Sequence, residues 1–417
     1  MLTNAPKGTK DLLPGQVHKW HYVEGKFAEI CKRYGFKEIR TPMFEHTEVF
    51  ARGIGDTTDV VQKEMYTFND HGNRSITLKP EGTSGAVRAF IEHKQYAEVQ
   101  PTKYYYNTDC FRYEKPQSGR LRHFHQFGVE VFGTPNMMAD SEVIAIAYDF
   151  LRDLGITEIE LRINSVGCPE CRKKHREALK AFLQPHYEEL CGTCKERFDR
   201  NPMRIIDCKS EICQAIVKDA PRMLDYLCDD CQNAFEELKA NLTAMDIPFT
   251  IDPNIVRGLD YYTKTAFEFV TTKIGAQGTV CGGGRYDHLV EELGGPPIPG
   301  VGWGLGIERL IMLMEANGAY FPEEERIDAF IAFMGEEAKA YGLKLCKELR
   351  EKGLIAEMDT LARNIKGQFK YAGRLNAKYT LVIGEDEIKK GVVSLKDMDL
   401  SEQREVKFED IYKEITK

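Results

Sequence analysis

The chain has 417 residues, of which 42% are hydrophobic and 29% are charged, and its formal net charge at pH 7 is −8. At roughly 150 residues per domain, this length predicts two or three domains. The composition is typical of a folded globular protein and excludes a disordered or fibrous chain. The negative balance excludes a surface that is positive throughout, but it leaves room for a local basic face.

Export and membrane insertion leave signals that this sequence lacks. No apolar run approaches the ~20 residues that a membrane-spanning helix requires. The N-terminal residues contain no apolar stretch of the kind found in secretory signals. We therefore expect a cytoplasmic protein with no membrane partner, in which the cysteines stay reduced.

The first hundred residues predict alternating helices and strands. Apolar residues at three- and four-residue steps indicate an amphipathic helix over 16–34, and short strands follow over 36–39 and 74–79. A second helix begins after the loop Pro80-Glu-Gly-Thr83. We predict Thr83 or Ser84 as its N-terminal cap, because either hydroxyl can accept a hydrogen bond from a free amide of the first turn.

A long antiparallel hairpin is predicted next. Residues 103–113 and 123–132 show the alternation of strands, and a polar, basic loop over 114–122 joins them. Asp140 is then predicted to cap a helix that ends at Gly155.

Hydrogen-bonding side chains share one face of this hairpin. Period-two alternation places Gln126 and Glu130 on either side of Gly128, which leaves a hollow of side-chain size. Arg112 lies on the first strand, where it could bind an anion. The alternative is that Arg112 forms only a structural ion pair with the nearby carboxylate.

From about residue 168 to 250 the sequence changes to cysteine pairs separated by charged helical stretches. Three pairs have the spacing Cys-x2-Cys and a fourth is looser: Cys168 with Cys171, Cys191 with Cys194, Cys228 with Cys231, and Cys208 with Cys213. Two such pairs make one tetrahedral thiolate site, so these residues predict one or two structural Zn²⁺ ions. Redox-active pairs and unmetallated cysteines are the alternatives, and the sequence leaves open which pairs share a metal.

The strand pattern resumes after the cysteine-rich segment. Strands are predicted over 261–272, 277–285 and 300–306, and a helix over 306–317. Residues 328–417 alternate apolar strands with helices and predict a small α/β domain.

The strand over 300–306 has glycine at every second position, so one of its faces carries no side chains. A flat ligand can lie on such a bare backbone. Arg309 lies in the first turn of the following helix, and an arginine beside free helix amides is typical of a polyphosphate site. Close packing of the strand against the helix is the alternative explanation.

Arg257-Gly-Leu-Asp-Tyr-Tyr262 reads as a loop that enters a strand. A guanidinium beside two phenols can steer an anion and hydrogen-bond a polar ring, whereas the alternative is two surface tyrosines packed on a turn. The sequence contains no Gly-x4-Gly-Lys-Ser/Thr loop, so a nucleotide-binding fold with a parallel sheet is not supported.

A basic face is predicted on a helix of the C-terminal region. No acidic residue lies between 361 and 380, and the basic residues recur at helical spacing: Arg363, Lys366, Lys370, Arg374 and Lys378. The residues expected on the opposite, apolar side are Leu361, Ile365, Phe369 and Ala372. Such a face suits contact with phosphates, and a merely solvated face is the alternative.

Five blocks of the sequence together resemble the histidyl-tRNA synthetase family of class II aminoacyl-tRNA synthetases. The helix and strand before Pro42, the segment from Phe111-Arg-Tyr-Glu to Phe132, and Gly302-Trp-Gly-Leu-Gly-Ile-Glu-Arg309 resemble the three class II motifs. Arg257-Gly-Leu-Asp-Tyr-Tyr262 and Gly282-Gly-Gly-Arg-Tyr-Asp287 resemble two stretches peculiar to the histidyl family. The compact form resembles bacterial members, and only the cysteine-rich segment stands apart.

This resemblance implies an α+β fold in which an antiparallel sheet is flanked by helices. It implies a catalytic core at 1–167 and 251–325, a Cys-rich insertion module at 168–250, and a C-terminal α/β anticodon-binding domain at 326–417. The first motif normally forms a dimer interface in this class, so a homodimer is implied as well.

The resemblance also implies a reaction: ATP activates L-histidine to histidyl-adenylate, and the histidyl group passes to the 3′ end of tRNA-His. Mg²⁺ would accompany the ATP phosphates. By family position, Arg112 and Arg257 would hold the α-phosphate from two sides, and Arg309 would hold the γ-phosphate. Gly304 and Gly306 would lie at the nucleotide.

The same resemblance implies the histidine site. Its residues are Glu81, Thr83 and Gln126 around the ammonium, and Glu130, Tyr261 and Tyr262 around the imidazole. Polar groups opposite both ring nitrogens reject apolar isosteres, because such isosteres leave buried polar groups unpaired.

Contacts with tRNA are implied in two regions. The residues expected at the acceptor end are Lys115, Gln117, Arg120 and Arg122, and those in the anticodon-binding domain are Arg363, Lys366, Lys370 and Arg374. A zinc-ordered module would touch the acceptor arm. The rival functions are a non-catalytic regulatory subunit of ATP phosphoribosyltransferase, which shares the core, and a zinc-dependent RNA-binding protein without enzyme activity.

Overall fold

The structure, a computed structural model, describes residues 3–55, 58, 60–273 and 278–416. The chain forms two compact units, Met1–Pro322 and Glu323–Lys417. Among the described residues, no helix combines the length and the apolar character that crossing a membrane requires.

The first unit mixes helices and strands along its length. Its helices are α1 (Val17–Arg33), α2 (Thr47–Ile54), α3 (Thr83–Glu92), α4 (Met137–Asp153), α5 (Pro169–Leu183), α6 (Gly192–Arg200), α7 (Glu211–Val217), α8 (Asp229–Ala244), α9 (Leu289–Glu292) and α10 (Ile307–Ala316). Its strands are β1 (Lys37–Glu38), β2 (Phe44–His46), β3 (Tyr66–Asn69), β4 (Ser75–Leu78), β5 (Thr102–Phe111), β6 (His123–Phe132), β7 (Glu160–Ser165), β8 (Thr250–Ile251), β9 (Thr263–Val270), β10 (Thr279–Arg285) and β11 (Gly300–Gly306).

The main sheet of this unit has eight strands in the order β1-β5-β6-β11-β10-β9-β7-β8. Neighbouring strands are antiparallel except at the two edges, where β1 pairs with β5 and β7 with β8 in parallel. β2, β4 and β3 form a smaller sheet. The predicted antiparallel sheet is therefore confirmed, and the predicted hairpin is β5 and β6.

The two faces of the main sheet have different contents, as the alternation predicts. On one face, Phe127, Val129 and Val131 of β6 are buried in the hydrophobic core. Phe27 of α1 stacks on Phe127 with ring centroids 4.3 Å apart. The opposite face carries Gln126 and Glu130 of β6 and the glycines of β11, which leaves it available for a site.

The predicted cap of α3 is wrong. Gly82 occupies the cap position, and Thr83 and Ser84 are the first helical residues. The carboxylate of Glu81 accepts hydrogen bonds from the backbone amides of Thr83 (2.6 Å) and Ser84 (2.9 Å). The preceding carboxylate therefore satisfies the free amides of the helix start, and the Thr83 hydroxyl donates to Glu130 instead.

The predicted cap of α4 is also wrong. Asn136 is the cap residue, and its side-chain oxygen accepts a hydrogen bond from the amide of Met138 at 2.8 Å. Asp140 lies inside the first turn, fully buried, and pairs with the equally buried Arg285. The two partners are 145 residues apart in the chain, so the local sequence could not reveal the pair.

The cysteine-rich segment is mostly helical, as its charged stretches predict, and contains α5 to α8. Cys168, Cys191 and Cys228 are the N-terminal cap residues of α5, α6 and α8. The first cysteine of each Cys-x2-Cys pair therefore lies where free amides and the helix dipole favour a thiolate.

The second unit is the predicted α/β domain. Its elements are β12 (Ala329–Phe333), α11 (Glu336–Glu351), β13 (Ala356–Met358), α12 (Ile365–Arg374), β14 (Tyr379–Ile383), α13 (Glu385–Lys390), β15 (Val392–Asp397), β16 (Gln403–Lys407) and α14 (Ile411–Ile415). The strand order is β13-β12-β14-β15-β16, with β12 parallel to both neighbours and the remaining pairs antiparallel.

Candidate active site and metal centres

A cavity of about 450 Å³ opens on the polar face of the main sheet. It is lined by most of the residues predicted for histidine and ATP: Glu81, Thr83, Arg112, Gln126, Arg257, Tyr261, Tyr262, Gly304, Gly306 and Arg309. Glu130 does not line it; this residue is fully buried behind the wall. Segments that are distant in the sequence thus converge on one site.

The glycines beneath this cavity make room for side chains. A Cβ atom at Gly304 would lie 2.6 Å from Nε2 of Gln126, and one at Gly282 would lie 2.6 Å from Nη1 of Arg257. Only Gly306, among the glycines of β11, has open space where its Cβ would be. The bare surface expected for a flat ligand is therefore limited to Gly306.

The hollow predicted beside Gly128 is filled by the ring of Tyr106. A Cβ at Gly128 would lie 2.3 Å from Cζ of that ring. The carboxylate of Glu130 accepts hydrogen bonds from the hydroxyls of Tyr106 (3.0 Å), Thr83 (2.7 Å) and Tyr286. Burial raises the pKa of Glu130 to about 8, although these three donors act in the opposite direction.

Tyr106 and Tyr286 are functional candidates to which the sequence analysis assigned no role. Alternation on β5 places Tyr106 on the same face as Arg112, and this pattern could have identified Tyr106 from the sequence. Tyr286 follows the glycine run of β10 directly, and its ring lies 5.5 Å from that of Tyr261. Tyr261 in turn contacts Tyr262, with ring centroids 4.6 Å apart. One end of the site is therefore lined with phenols.

Arg112 is anchored by the backbone. Its Nε donates to the carbonyl oxygen of Pro80 at 2.8 Å, and its guanidinium lies 5.5 Å from the Phe124 ring. Its Nη1 is 3.9 Å from the carboxylate of Glu114. The ion pair with Glu130 that the sequence left open does not form in the part of the chain that the structure describes.

Arg257 and Arg309 supply two further cations. Arg257 pairs with Glu268 of β9, and its guanidinium lies 5.6 Å from the Tyr262 ring. Burial opposes the charge of Arg257, but the nearby Glu268 and Tyr262 outweigh that effect and its pKa is raised. Arg309 donates from Nη1 to the carbonyl oxygen of Thr279 at 2.5 Å, and burial lowers its pKa. Three guanidinium groups in one cavity can bind a polyphosphate.

The loop over 114–122 carries the four residues predicted at the acceptor end of tRNA, and they fall into two pairs. Lys115 and Gln117 are exposed. Arg120 is exposed as well, but its Nε lies 2.8 Å from the carboxylate of Glu114. The guanidinium of Arg122 lies 3.8 Å from the centroid of the Tyr113 ring. Arg120 and Arg122 therefore hold the loop in place.

The eight module cysteines form two clusters, and the structure thereby settles which pairs lie together. One cluster contains Cys168, Cys171, Cys228 and Cys231, and the other contains Cys191, Cys194, Cys208 and Cys213. Within each cluster all four sulfur atoms lie within 4.8 Å of one another. Each cluster can therefore hold one metal ion.

Backbone amides support the sulfur atoms of both clusters. The amide of Cys228 donates to Sγ of Cys171 at 3.1 Å, and the amide of Cys191 donates to Sγ of Cys213 at 3.4 Å. Burial opposes ionisation of Cys168, but amides and neighbouring thiols outweigh it and lower its pKa to about 7. Such thiols are ready to lose their protons to a metal.

The module also contacts the loop that carries Arg257 and both tyrosines. Asn201 donates from Nδ2 to Oδ1 of Asp260 at 2.7 Å. Arg172 donates to the carbonyl oxygen of Asp260 at 3.3 Å, and Arg204 donates to that of Gly258 at 3.2 Å. Nothing in the sequence indicated these contacts, because they join segments that the chain keeps apart.

A larger cleft, of about 1180 Å³, lies between the module and the edge of the main sheet. Its lining is mixed in charge: the basic residues are Arg120, Arg162, Lys209, Lys218, Arg222 and Arg309, and the acidic ones are Glu158, Glu160, Asp207, Asp252 and Glu268. Because Arg120 and Arg309 also line the smaller cavity, the cleft leads to the candidate active site.

The basic face of the second unit is smaller than predicted. Lys366, Lys370 and Arg374 are exposed on α12, but Arg363 pairs with Asp359, and Lys378 pairs with Asp328 at 2.8 Å. Leu361 was expected on the apolar side and is instead 70% exposed. It precedes α12, so helical spacing does not apply to it.

Comparison with known proteins extends over the whole chain. A family model described as Histidyl-tRNA synthetase matches residues 8–310, and one described as Anticodon binding domain matches residues 328–417. A protein named histidine–tRNA ligase from Caldanaerobacter subterraneus subsp. tengcongensis is 59% identical over 415 residues, which cover 100% of both chains. A protein of the same name from Clostridioides difficile is 54% identical, covering 100% of this chain and 99% of the relative. The crystal structure of apo S. aureus histidyl-tRNA synthetase has a TM-score of 0.84 and 41% identity, covering 99% of this chain and 100% of that one.

Proposed function

The chain belongs to the histidyl-tRNA synthetase family, and from this premise we propose which of its residues carry out each step. Its reaction is that of a histidine–tRNA ligase: ATP-dependent activation of L-histidine, then transfer of the histidyl group to tRNA-His. The regulatory paralogue of ATP phosphoribosyltransferase is not favoured, because full-length relatives are named as ligases and the anticodon-binding domain is present.

One observation carries the assignment of the ATP site: Arg112, Arg257 and Arg309, from three separate segments, line a single cavity. We infer that Arg112 and Arg257 neutralise the α-phosphate as negative charge redistributes there, while Arg309 holds the γ-phosphate. Gly306 leaves the backbone open to the nucleotide, and Gly304 beside it makes room for the side chain of Gln126. Glu114, which lines the same cavity, offers carboxylate oxygens of the kind that Mg²⁺ binds together with phosphates.

Catalysis in this site is mainly positioning and charge stabilisation. The histidine carboxylate must approach the α-phosphate in line with the leaving pyrophosphate. Arginines that are already fixed by Pro80, Glu268 and Thr279 need no reorganisation when the charge develops.

We propose that the phenol-lined end of the cavity binds histidine. Glu81, Thr83 and Gln126 would surround its ammonium, and Tyr261, Tyr262 and Glu130 its imidazole. Because Glu130 is covered by Thr83, Tyr106 and Tyr286, it would act on the ring only after one of these donors gives way. A ring without polar atoms would leave these groups unsatisfied, and this penalty supplies selectivity.

We propose that each thiolate cluster binds one Zn²⁺. Four sulfur ligands close a tetrahedral site, so both ions would be structural and would fix the module rather than react. The module would in turn hold the Arg257–Tyr262 loop through Asn201, Arg172 and Arg204. Metal analysis of freshly purified protein should give two zinc ions per chain; protein that is folded and active without zinc would contradict the assignment.

We further infer how the parts cooperate. The catalytic core would comprise residues 1–167 and 251–325, the insertion module 168–250, and the anticodon-binding domain 326–417. The cleft beside the module, which has arginines and lysines in its lining, would take the acceptor arm of tRNA, with Lys115 and Gln117 near the end of that arm. Exposed basic residues of α12 would face the anticodon region.

The working state would be a homodimer in the cytoplasm. The first motif, α1 with the strand after it, normally forms the dimer interface of this class. All twelve cysteines are free thiols, which is typical of a reducing compartment.

Exchange of pyrophosphate into ATP, with each amino acid added in turn, tests the activation step. We expect exchange with histidine alone. If none of the amino acids supports exchange in folded, zinc-replete protein, the enzyme function is contradicted. Exchange with a second amino acid would contradict the proposed imidazole pocket while leaving the enzyme function in place.

A further inference from the structure

A third group of metal-ligating side chains lies apart from the thiolates. It consists of Asp109 on β5 and of His123 and His125 on β6. Oδ1 of Asp109 lies 2.8 Å from Nε2 of His123 and 3.3 Å from Nε2 of His125. By the alternation of β6, both imidazoles lie on the face of the sheet opposite to Gln126 and the active-site cavity.

Glu308 fixes the orientation of one imidazole. Its carboxylate accepts a hydrogen bond from the backbone amide of His125, and its Oε1 lies 2.8 Å from Nδ1 of the same residue. An ionised carboxylate can only accept, so Nδ1 carries the hydrogen and donates it. In the neutral ring, Nε2 then presents its lone pair towards Asp109. A carboxylate behind a histidine in this way is the usual support of a metal-bound imidazole.

The spacing of the three ligand atoms suits a single small cation. Two ligands each about 2.05 Å from a tetrahedral ion are separated by about 3.3 Å. The separation of 3.3 Å between Asp109 Oδ1 and Nε2 of His125 equals that value. The 2.8 Å between Asp109 Oδ1 and Nε2 of His123 is a hydrogen-bond distance, which would lengthen by about 0.5 Å around an ion. A positive charge between Nε2 of His125 and Oδ1 of Asp109 makes their approach favourable, and either a proton on Nε2 or a bound cation can supply it.

The cluster is open on one side. His123 and His125 line a cavity of about 650 Å³, whose other walls are residues of the N-terminal segment, Asp11 among them. The side chains of the three ligands are between 24% and 30% exposed. An ion can therefore enter, and water has room to complete its coordination.

We propose that Asp109, His123 and His125 form a binding site for a divalent transition-metal ion, separate from both thiolate clusters. Two imidazoles and one carboxylate favour Zn²⁺, Co²⁺ or Ni²⁺ over Mg²⁺. The bound ion would join β5 to β6 and, through Glu308, to the first turn of α10, where Arg309 is the next residue. Occupancy of the site would thereby stiffen the support of the active-site cavity without entering it.

Titration of the zinc-loaded protein with Co²⁺ tests this site directly. Free histidine and thiol reductants are left out, because both chelate the probe. We expect one Co²⁺ per chain in addition to the zinc already present, with the weak visible absorption of nitrogen- and oxygen-ligated Co²⁺. A strong near-ultraviolet thiolate band would show exchange into the cysteine clusters instead, and would overturn the proposal if it accounted for all the bound cobalt.

Substitutions locate the additional ion. Asp109→Asn and His123→Gln should each abolish its binding, and Glu308→Gln, which removes only the support of His125, should weaken it by about 10–100-fold. His186→Gln is the matched control, because His186 also faces a carboxylate, Glu189 at 2.9 Å, but has no second imidazole beside it.

Thermal unfolding of each variant shows whether it is folded. Asp109→Asn and His123→Gln remove different ligands, so a folding defect in one of them leaves the other as a test. Retention of the additional Co²⁺ in both Asp109→Asn and His123→Gln would overturn the proposal. So would the absence of any additional ion in the unsubstituted protein, which would mean that protons alone bridge the three groups.

Discussion

The active-site cavity and the cysteine-rich module bring reactive side chains together in opposite ways. The cavity takes single residues, such as Arg112, Arg257 and Arg309, from separate segments and holds them on a sheet that is already stabilised by its own core. The module takes pairs of cysteines, three of which begin at the start of a helix, and has a small core of its own around them.

This difference separates function from stability. Replacing one cavity arginine removes a charge from the reaction but leaves the packed face of the sheet intact. Replacing one cysteine would release the proposed metal ion, and with it the geometry of the helix starts that the ion holds. Substitutions in the cavity should therefore leave the protein folded but lower the rate of adenylation. Substitutions of the module cysteines should unfold the module and should affect the rate only through the Arg257–Tyr262 loop.

The largest expected effect is on chemistry, from Arg257→Ala. Loss of one preorganised positive group at the α-phosphate should lower histidine-dependent pyrophosphate exchange by about 10³-fold. Because the substitution also leaves Glu268 without its partner, the double variant Arg257→Ala/Glu268→Gln separates the lost charge from the unpaired carboxylate. Arg152→Ala, on the exposed side of α4, is the control. Exchange within tenfold of the unsubstituted enzyme would contradict the assigned role.

The next effect tests the module. Cys171→Ser and Cys213→Ser should each lose one of two zinc ions, and the double variant should lose both, because the two residues belong to different clusters. Metal content and the unfolding profile by circular dichroism are the measurements. Cys31→Ser, a buried cysteine outside the module, should lose none. Loss of both ions from either single variant would show that the clusters are not independent.

The two regions also differ in how far the sequence could predict them. Alternation on a strand is set by covalent geometry, so the shared face of Arg112, Gln126 and Glu130 could be predicted. The burial of Glu130 could not be, since it depends on Tyr286, which belongs to a distant strand end. The strand order is a property of the whole sheet.

In the module, the cysteine spacing predicted thiolate pairs but not their partners. Which pairs meet depends on how α5 to α8 pack, and no residue near Cys171 marks Cys228 as its neighbour. The two wrong caps have the same origin. Glu81 and Asn136 were nearby acceptors that competed successfully with Thr83 and Asp140, and only the folded backbone decides between such acceptors.

Glu130 qualifies the comparison, because it lies buried behind the cavity wall and affects stability. Burial raises its pKa from 4.5 to about 8, so the folded chain keeps a proton that the unfolded chain releases. The unfolding free energy that Glu130 contributes should therefore fall as the pH rises from about 4.5 to about 8. Urea unfolding across this pH range should show that the unfolding free energy of Glu130→Gln declines less steeply than that of the unsubstituted protein. The exposed Glu337→Gln should match the unsubstituted protein; a Glu130→Gln profile equally steep would refute the buried proton.

The link between the two regions can be weakened at one of its three hydrogen bonds. Asn201→Ala removes the 2.7 Å contact with the carboxylate of Asp260 and leaves every cysteine in place. A hydrogen bond to a charged group contributes about 1.5 kcal/mol, so kcat/KM for adenylation should fall about tenfold with zinc content unchanged. Asn254→Ala, which loses a contact with Arg222 instead, is the control. Unchanged kinetics in Asn201→Ala would mean that this hydrogen bond does not position the loop, and would leave that role to Arg172 and Arg204.

The smallest expected effect lies in the second unit. Lys370 is exposed on α12, and Lys389 is equally exposed on α13 of the same unit. If α12 contacts phosphates, Lys370→Ala should weaken tRNA binding a few-fold and reduce the dependence of log K on log salt by about 1, because one fewer counterion is released. Lys389→Ala should change neither quantity, and pyrophosphate exchange should be unaffected in both variants, because adenylation does not involve tRNA. Equal salt dependence of tRNA binding in the two variants would mean that the basic face of α12 is solvated and does not contact tRNA.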